Sequence, residues 1–345
     1  MPLLSSRRPS SRRPWLKAVA TSVTAIAVAA ATSLATLTPA KAQETVKIGL
    51  IASLSGPSAK SGEAITRGMR LAIDEINSDG GLLGKQVELL RRDDEGNPGT
   101  GLTAARELVQ RENVAVLFGG LQSPVSLAIV PFMNRMQKPF MGPWAAATGI
   151  TRNGAEPNFV FRVSAVDALV DEALVSRAIQ LHGAKKIGLV LINNPWGESN
   201  EEGLMAALER RDMMPVGVEK IEQGDVDVVP QLSRLKQAGA ETLILVANVG
   251  PSAQVTKGLA RMSWDVPVVS HWGPAGGRFS ELGGPRAEDV EMIQTFTFLG
   301  NDSPKAKAVL EKLEQRHGDI EGPEDVTPAV GVANAYDAMH LTAQA

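Results

Sequence analysis

The sequence predicts an α/β protein of two Rossmann-like lobes, each built on a parallel sheet and joined by a hinge of several strands. Three observations carry that expectation. A strand, loop, helix and strand open the chain from Val46, the alternation restarts near Val163, and the length of 345 residues exceeds one comfortable core.

VKIGLIA, from Val46, is an apolar run of strand length, and the small-residue loop SLSGPSAKSG after it scarcely hides its backbone. From Glu63 to Ile76 a helix follows. Ala64, Ile65, Met69, Leu71, Ala72 and Ile76 fall mostly on one of its faces, leaving Arg67, Arg70, Asp74 and Glu75 for the other. NSDGGLLGK stops it and QVELLRRDD reads as the next strand. Such a unit is right-handed, and its loop lies where an open sheet binds ligands.

VAVLFGG, KPFMGPW and NFVFRV continue the strands of the first lobe, with SPVSLAIVPFMNRMQ a helix between them. The second lobe starts with the helix DALVDEALVSRAIQLHG and the strand KKIGLVLI, followed by the loop NNPWGESN and the helix EEGLMAALERR. MPVGVEKI, TLILVAN and VPVVSHW are its further strands, and VEMIQTFTF leads out of it. The expected lobes are residues 43–163 with 299–345, and residues 164–298. The last helix, from about Ala329 to Gln344, returns to the first lobe.

Residues 1–42 read as a secretory leader. Arg7, Arg8, Arg12, Arg13 and Lys17 precede an Ala-rich segment ending at Ala40-Lys41-Ala42, with cleavage expected after Ala42. SRRPWLK fits a twin-arginine signal, and a plain Sec leader fits equally. Six of the 35 basic residues and none of the 38 acidic ones lie there, so the remainder carries 29 basic residues against 38 and a net charge of −9. That balance argues against nucleic acid. The absence of cysteine excludes disulfides, thiolate metal sites and a cysteine nucleophile. A soluble, monomeric periplasmic protein is the expectation.

KIGLIASLSGPSAKSG, AIDEINSDGGLLGKQVELLRRDDEGNP, GGLQS, PWGES and AYDAMHL together resemble the type I periplasmic solute-binding proteins of branched-chain amino acid ABC transporters. The resemblance spans nearly all of the chain after the leader. It implies a solute held between the lobes by hinge closure, an inner-membrane permease as partner, no cofactor and no metal. Relatives continue past the last helix, so Ala345 reads as a truncated end lacking a hinge strand. The resemblance also implies that a serine after the third strand, here Ser123, and backbone N–H groups near Trp144, Ala145 and Ala146 hold the solute carboxylate. Hydroxyl and N–H donors suit that task. Gln122 and Ser123 also suit the start of the next helix, and both roles can hold at once. Ser55 and Ser61 in the first loop are further candidates.

Two positions depart from the family's amino acid receptors. Ala146 stands where a threonine is usual and Trp272 where an acid is usual, so an α-ammonium would lack a partner, at a cost of several kcal/mol. Trp144, Trp196 and Trp272 each follow a strand, on loops expected to face the cleft, in a chain with one tyrosine. Their indoles suit a planar or apolar carboxylate, a quaternary amine, or packing between the lobes. Val249 stands where relatives carry tyrosine and leaves room for a bulky solute. His271 is a candidate hydrogen-bond donor to the solute. His182, His317 and His340 show no partner at useful spacing, and Asp93, Asp94 and Glu95 read as a turn before a helix.

An enzyme on a Rossmann-like sheet is the main rival. It would need G-x-G-x-x-G, G-x-S-x-G or a Ser/His/Asp set, none of which the chain offers. A ligand-sensing domain shares the fold and is a third reading, as is a classical receptor for branched-chain amino acids or amides.

Overall fold

The computed structural model describes residues Thr45–Ala345, so the expected leader and its cleavage site lie outside the described residues. Two five-stranded sheets organise the chain. The first contains β1 (Thr45–Ala52), β2 (Gln86–Asp93), β3 (Val116–Phe118), β4 (Phe140–Gly142) and β5 (Val160–Arg162) in the order β2-β1-β3-β4-β5. The second contains β6 (Ile187–Ile192), β7 (Gly217–Ile221), β8 (Thr242–Val246), β9 (Val268–Ser270) and β10 (Val290–Met292) in the order β10-β9-β8-β6-β7. Every pairing is parallel. The strand order turns back at β1 in one sheet and at β6 in the other, which places the ligand crevice at the carboxyl ends of these strands.

Helices α1 (Ala59–Ser78), α2 (Pro98–Arg106), α3 (Ser123–Met136), α4 (Asp167–His182) and α5 (Pro195–Glu209) come first. They are followed by α6 (Val229–Gln237), α7 (Val249–Arg261), α8 (Phe279–Gly283), α9 (Pro304–Arg316) and α10 (Ala329–Gln344). Local chemistry sets several of their starts. Asn97 accepts N–H bonds from Gly99 and Thr100 at 2.8 and 3.1 Å, and Asn194 does the same for Trp196 and Gly197 at 2.9 and 3.1 Å, each with proline next in the chain. Strand β1 shows the period of two: Ile48 and Leu50 join the apolar cluster that holds α1 and α10, while Ile51 joins the one that holds α3.

The last helix lies directly on α1. A Cβ at Gly68 would sit 2.1 Å from the Val332 carbonyl oxygen, so only glycine permits this approach. Glu75 of α1 ties down two helices, accepting from Lys312 of α9 at 2.6 Å and from Tyr336 of α10, with His340 at 3.1 Å. The strand expected over 290–298 ends at Met292, because its neighbour β9 ends at Ser270. The chain then leaves the second sheet and seats Phe298 in the cluster that holds α1. Among the described residues no helix is long and apolar enough to cross a membrane.

Candidate functional site

The first wall of the crevice grows from the ends of β3 and β4. Gly119 and Gly120 turn the chain toward α3, at a place where a Cβ on Gly119 would meet Phe140 at 2.6 Å. The turn delivers Ser123 as the first residue of α3. Its side chain does not cap that helix. Instead Ala146 and Ala147, in the loop after β4, each donate an N–H to Ser123 Oγ at 3.2 Å. Of the loop amides named from the sequence only Ala146 reaches Ser123, joined by the unnamed Ala147, and all three residues are buried. Ala145 anchors the loop by donating to Gly120 O at 3.2 Å.

Arg162, at the end of β5, holds this loop through its carbonyls. Its guanidinium donates to Ala146 O at 2.8 Å and Ala147 O at 2.7 Å. Burial brings the guanidinium down to about 10, partly offset by the charge of Asp167. The only sign of it in the sequence is one arginine closing the apolar strand NFVFRV.

The second wall grows from β6, β9 and the start of α4. Asp167, the first residue of α4, is fully buried, and its Oδ1 accepts from Trp196 Nε1 at 3.3 Å and from His271 Nε2 at 3.1 Å. His271 Nδ1 accepts the Trp272 N–H at 2.8 Å, which places the ring proton on Nε2. The imidazole stands edge-on to both indoles, at 5.2 Å from Trp196 and 4.9 Å from Trp272. Trp272 is 2 % exposed and joins the cluster of the first sheet, together with Leu121 and Ala146. One side chain from the second sheet therefore reaches across to the first wall.

Two expectations are corrected. Trp144 does not face the crevice: its ring is fully buried against α1 and α10, and a Cβ at Gly331 would lie 2.6 Å from it. The missing side chain at Gly331 makes the space that draws the indole inward. His271 is not free to donate to a solute, since both ring nitrogens are committed to Asp167 and Trp272. His182 and His340, which showed no partner in the sequence, lie against Glu291 and Glu75 at 2.8 and 3.1 Å.

The remaining candidates fall in different places. Ser55 and Gln122 border an open groove of about 340 Å³ that also includes Ser53, Ser58, Asn194 and Gln223. Gln122 bridges the sheets by donating to Ser58 Oγ at 3.1 Å and accepting from Asn248 at 3.3 Å. Ser61 is fully buried and donates to Gly276 O at 2.8 Å, a second bridge. Val249 packs in the core of the second sheet. Asp93 and Asp94 shape a turn, accepting from the N–H groups of Leu54, Glu95 and Gly96. Among the described residues no group of three His, Asp or Glu side chains is placed to hold a metal ion.

A family profile described as periplasmic binding protein matches residues 45–345. Leu/Ile/Val-binding protein homolog 3 of Brucella melitensis is 24% identical over 272 residues, covering 79% of this chain and 73% of that protein. Among solved structures, a leucine binding protein of Thermotoga maritima has a TM-score of 0.77 at 21% identity, covering 87% of this chain and 82% of its own. An ABC transporter solute-binding protein of R. palustris in complex with benzoate has a TM-score of 0.75 at 24% identity, covering 87% of this chain and 80% of its own. With two doubly wound parallel sheets, a crevice at their carboxyl ends and a profile match over the whole described region, the chain belongs to the type I periplasmic binding proteins, in the branched-chain amino acid transporter family.

Proposed function

We propose that this chain is the solute-binding component of an ABC importer and captures a small aromatic or apolar carboxylate between its two lobes. The lobes are residues 43–163 with 299–345, and residues 164–298, and the closing motion is a hinge at the crossings between them. The protein acts as a monomer in the periplasm after export and loss of residues 1–42, delivers its solute to an inner-membrane permease, and performs no covalent chemistry.

One observation carries the reading. A serine hydroxyl and the amides of Ala146 and Ala147 meet on one wall, and Trp196 and Trp272 stand on the other. The serine hydroxyl, with the two amides once they leave its oxygen, suits a carboxylate, and the indoles suit a flat apolar body. Asp167, which holds the second wall together, already accepts two N–H groups through Oδ1. Relatives of this fold in complex with benzoate and with 4-hydroxybenzoate support the same class of solute.

A second reading is a branched-chain amino acid, favoured by the relatives' names and by the unpartnered Asp167 Oδ2, an acceptor that an ammonium group would use. Thermal unfolding against benzoate, 4-hydroxybenzoate, 3-methylbutanoate and leucine separates the two. A solute present at 100 times its Kd adds about 2.7 kcal/mol of stability. Stabilisation by the first three and not by leucine supports the proposal, and stabilisation by leucine alone overturns it.

A further inference from the structure

Four of the nine buried side-chain polar atoms without a partner, among the described residues, belong to the second wall and its supports. They are Asp167 Oδ2, both carboxyl oxygens of Asp171 and Asn200 Oδ1. All four are acceptors. A cluster of buried acceptors without a donor costs about 1–3 kcal/mol for each group left bare, a cost that a proton on one of these carboxyl groups would relieve.

Asp171 is the group able to carry it. It is fully buried, with neither oxygen bonded to an N–H or hydroxyl donor, an environment that an ionised carboxylate does not tolerate. It lies one helical turn after Asp167, on the same face of α4. Its carboxyl presses on α5, where Asp171 Oδ2 occupies the place of the Cβ that Gly203 lacks, 1.9 Å from where that atom would be. Burial, and then the charge of Asp167, push the Asp171 carboxyl up to about 10.

We propose that Asp171 is protonated at neutral pH and donates its O–H to Asp167 Oδ2, making it the positioning residue behind the Trp196–His271–Trp272 wall. Asp167 then accepts from three donors, Trp196 and His271 on one oxygen and Asp171 on the other. O–H to carboxylate bonds are short and strong, which favours this acceptor over the neutral Asn200 Oδ1. The charged or titratable groups around the pair are Arg162 from β5 and His271 after β9, and neither is bonded to Asp171. The inference does not depend on the identity of the solute. It does remove the acceptor that an ammonium group would need.

Infrared spectroscopy of the full chain at pH 7 tests it. The wild type minus D171N difference should show the carbonyl band of a protonated carboxylic acid. D171N, whose amide can still donate to Asp167, should keep the near-ultraviolet circular dichroism of the indoles, and D171A should lose it. The pH dependence gives a second readout. A carboxyl raised in the folded state stabilises most below its unfolded pKa of about 3.8 and loses that contribution as pH rises toward 10. The wild type should therefore lose stability relative to D171N between pH 5 and pH 9. A carboxylate band in place of the acid band, or parallel stability curves, overturns the proposal. Should D171N not fold, the wild-type acid band persisting to pH 9 supports it and its absence at pH 7 overturns it.

Discussion

The two walls of the crevice solve the same packing problem with opposite chemistry. On the first, Ser123 and the amides of Ala146 and Ala147 satisfy one another over short loops, with Arg162 bracing the carbonyls. On the second, a buried carboxylate gathers Trp196 and His271 from distant segments, and several acceptors stay without a visible donor. On the first wall both amides are taken up by Ser123 Oγ, and the serine hydroxyl is the donor that remains. The second presents indoles whose positions depend on a buried polar network, and such networks are costly unless fully satisfied. Under the proposed function, the first wall would take the carboxylate and the second the body of the solute.

The largest break in that comparison comes from the tryptophans. Trp144→Ala and Trp272→Ala each empty a large buried site and should lower the unfolding free energy in urea by about 3–5 kcal/mol. Only Trp272→Ala should also weaken benzoate binding in calorimetry. Equal loss of affinity in both would return Trp144 to the crevice. Asp167→Ala comes next. It leaves the Trp196 and His271 N–H groups bare in a buried site, at about 1–3 kcal/mol each. Urea unfolding should show that loss together with a changed near-ultraviolet signal. An unchanged signal would mean that the indoles stand without the carboxylate.

Ser123→Ala removes one hydroxyl from the anion wall and should weaken benzoate binding by about 1–3 kcal/mol, with little change in stability. Unchanged affinity would reduce Ser123 to a loop anchor. The smallest effect lies away from both walls. Burial alone would raise the Glu75 carboxyl, but bonds from Lys312 and Tyr336 and the charge of Lys305 hold it at about 2. A carboxyl depressed in this way stabilises fully above its unfolded pKa of about 4.5 and loses the contribution as pH falls toward 2. Glu75→Gln should flatten stability over that window and cost about 1 kcal/mol at pH 7.

Part of the first wall was legible through the family resemblance, which implies Ser123 and the loop that holds Ala146, while Ala147 and Arg162 carry no such signal. The glycines of GGLQS and the strand ends beside them place Ser123 and Ala146 at the mouth of one sheet. The strand pattern was legible in the residues themselves, apolar runs being punctuated by small-residue loops. The second wall was legible only in part. Trp196 and Trp272 stood out by composition, but Asp167 looks like an ordinary acid at a helix start, and its partner His271 lies 104 residues away. Asp171 reads as a polar residue on an exposed helix face until Gly203 on α5 is seen to make room for it. Trp144 misled because a strand end fixes where a loop begins and not where a ring turns, and here Gly331 decided that.

Calorimetric titration of the full chain with benzoate and with leucine tests the division between the walls most directly. A chain with an anion wall and an indole wall should bind benzoate and show no heat with leucine. Saturable binding of leucine without binding of benzoate would contradict it.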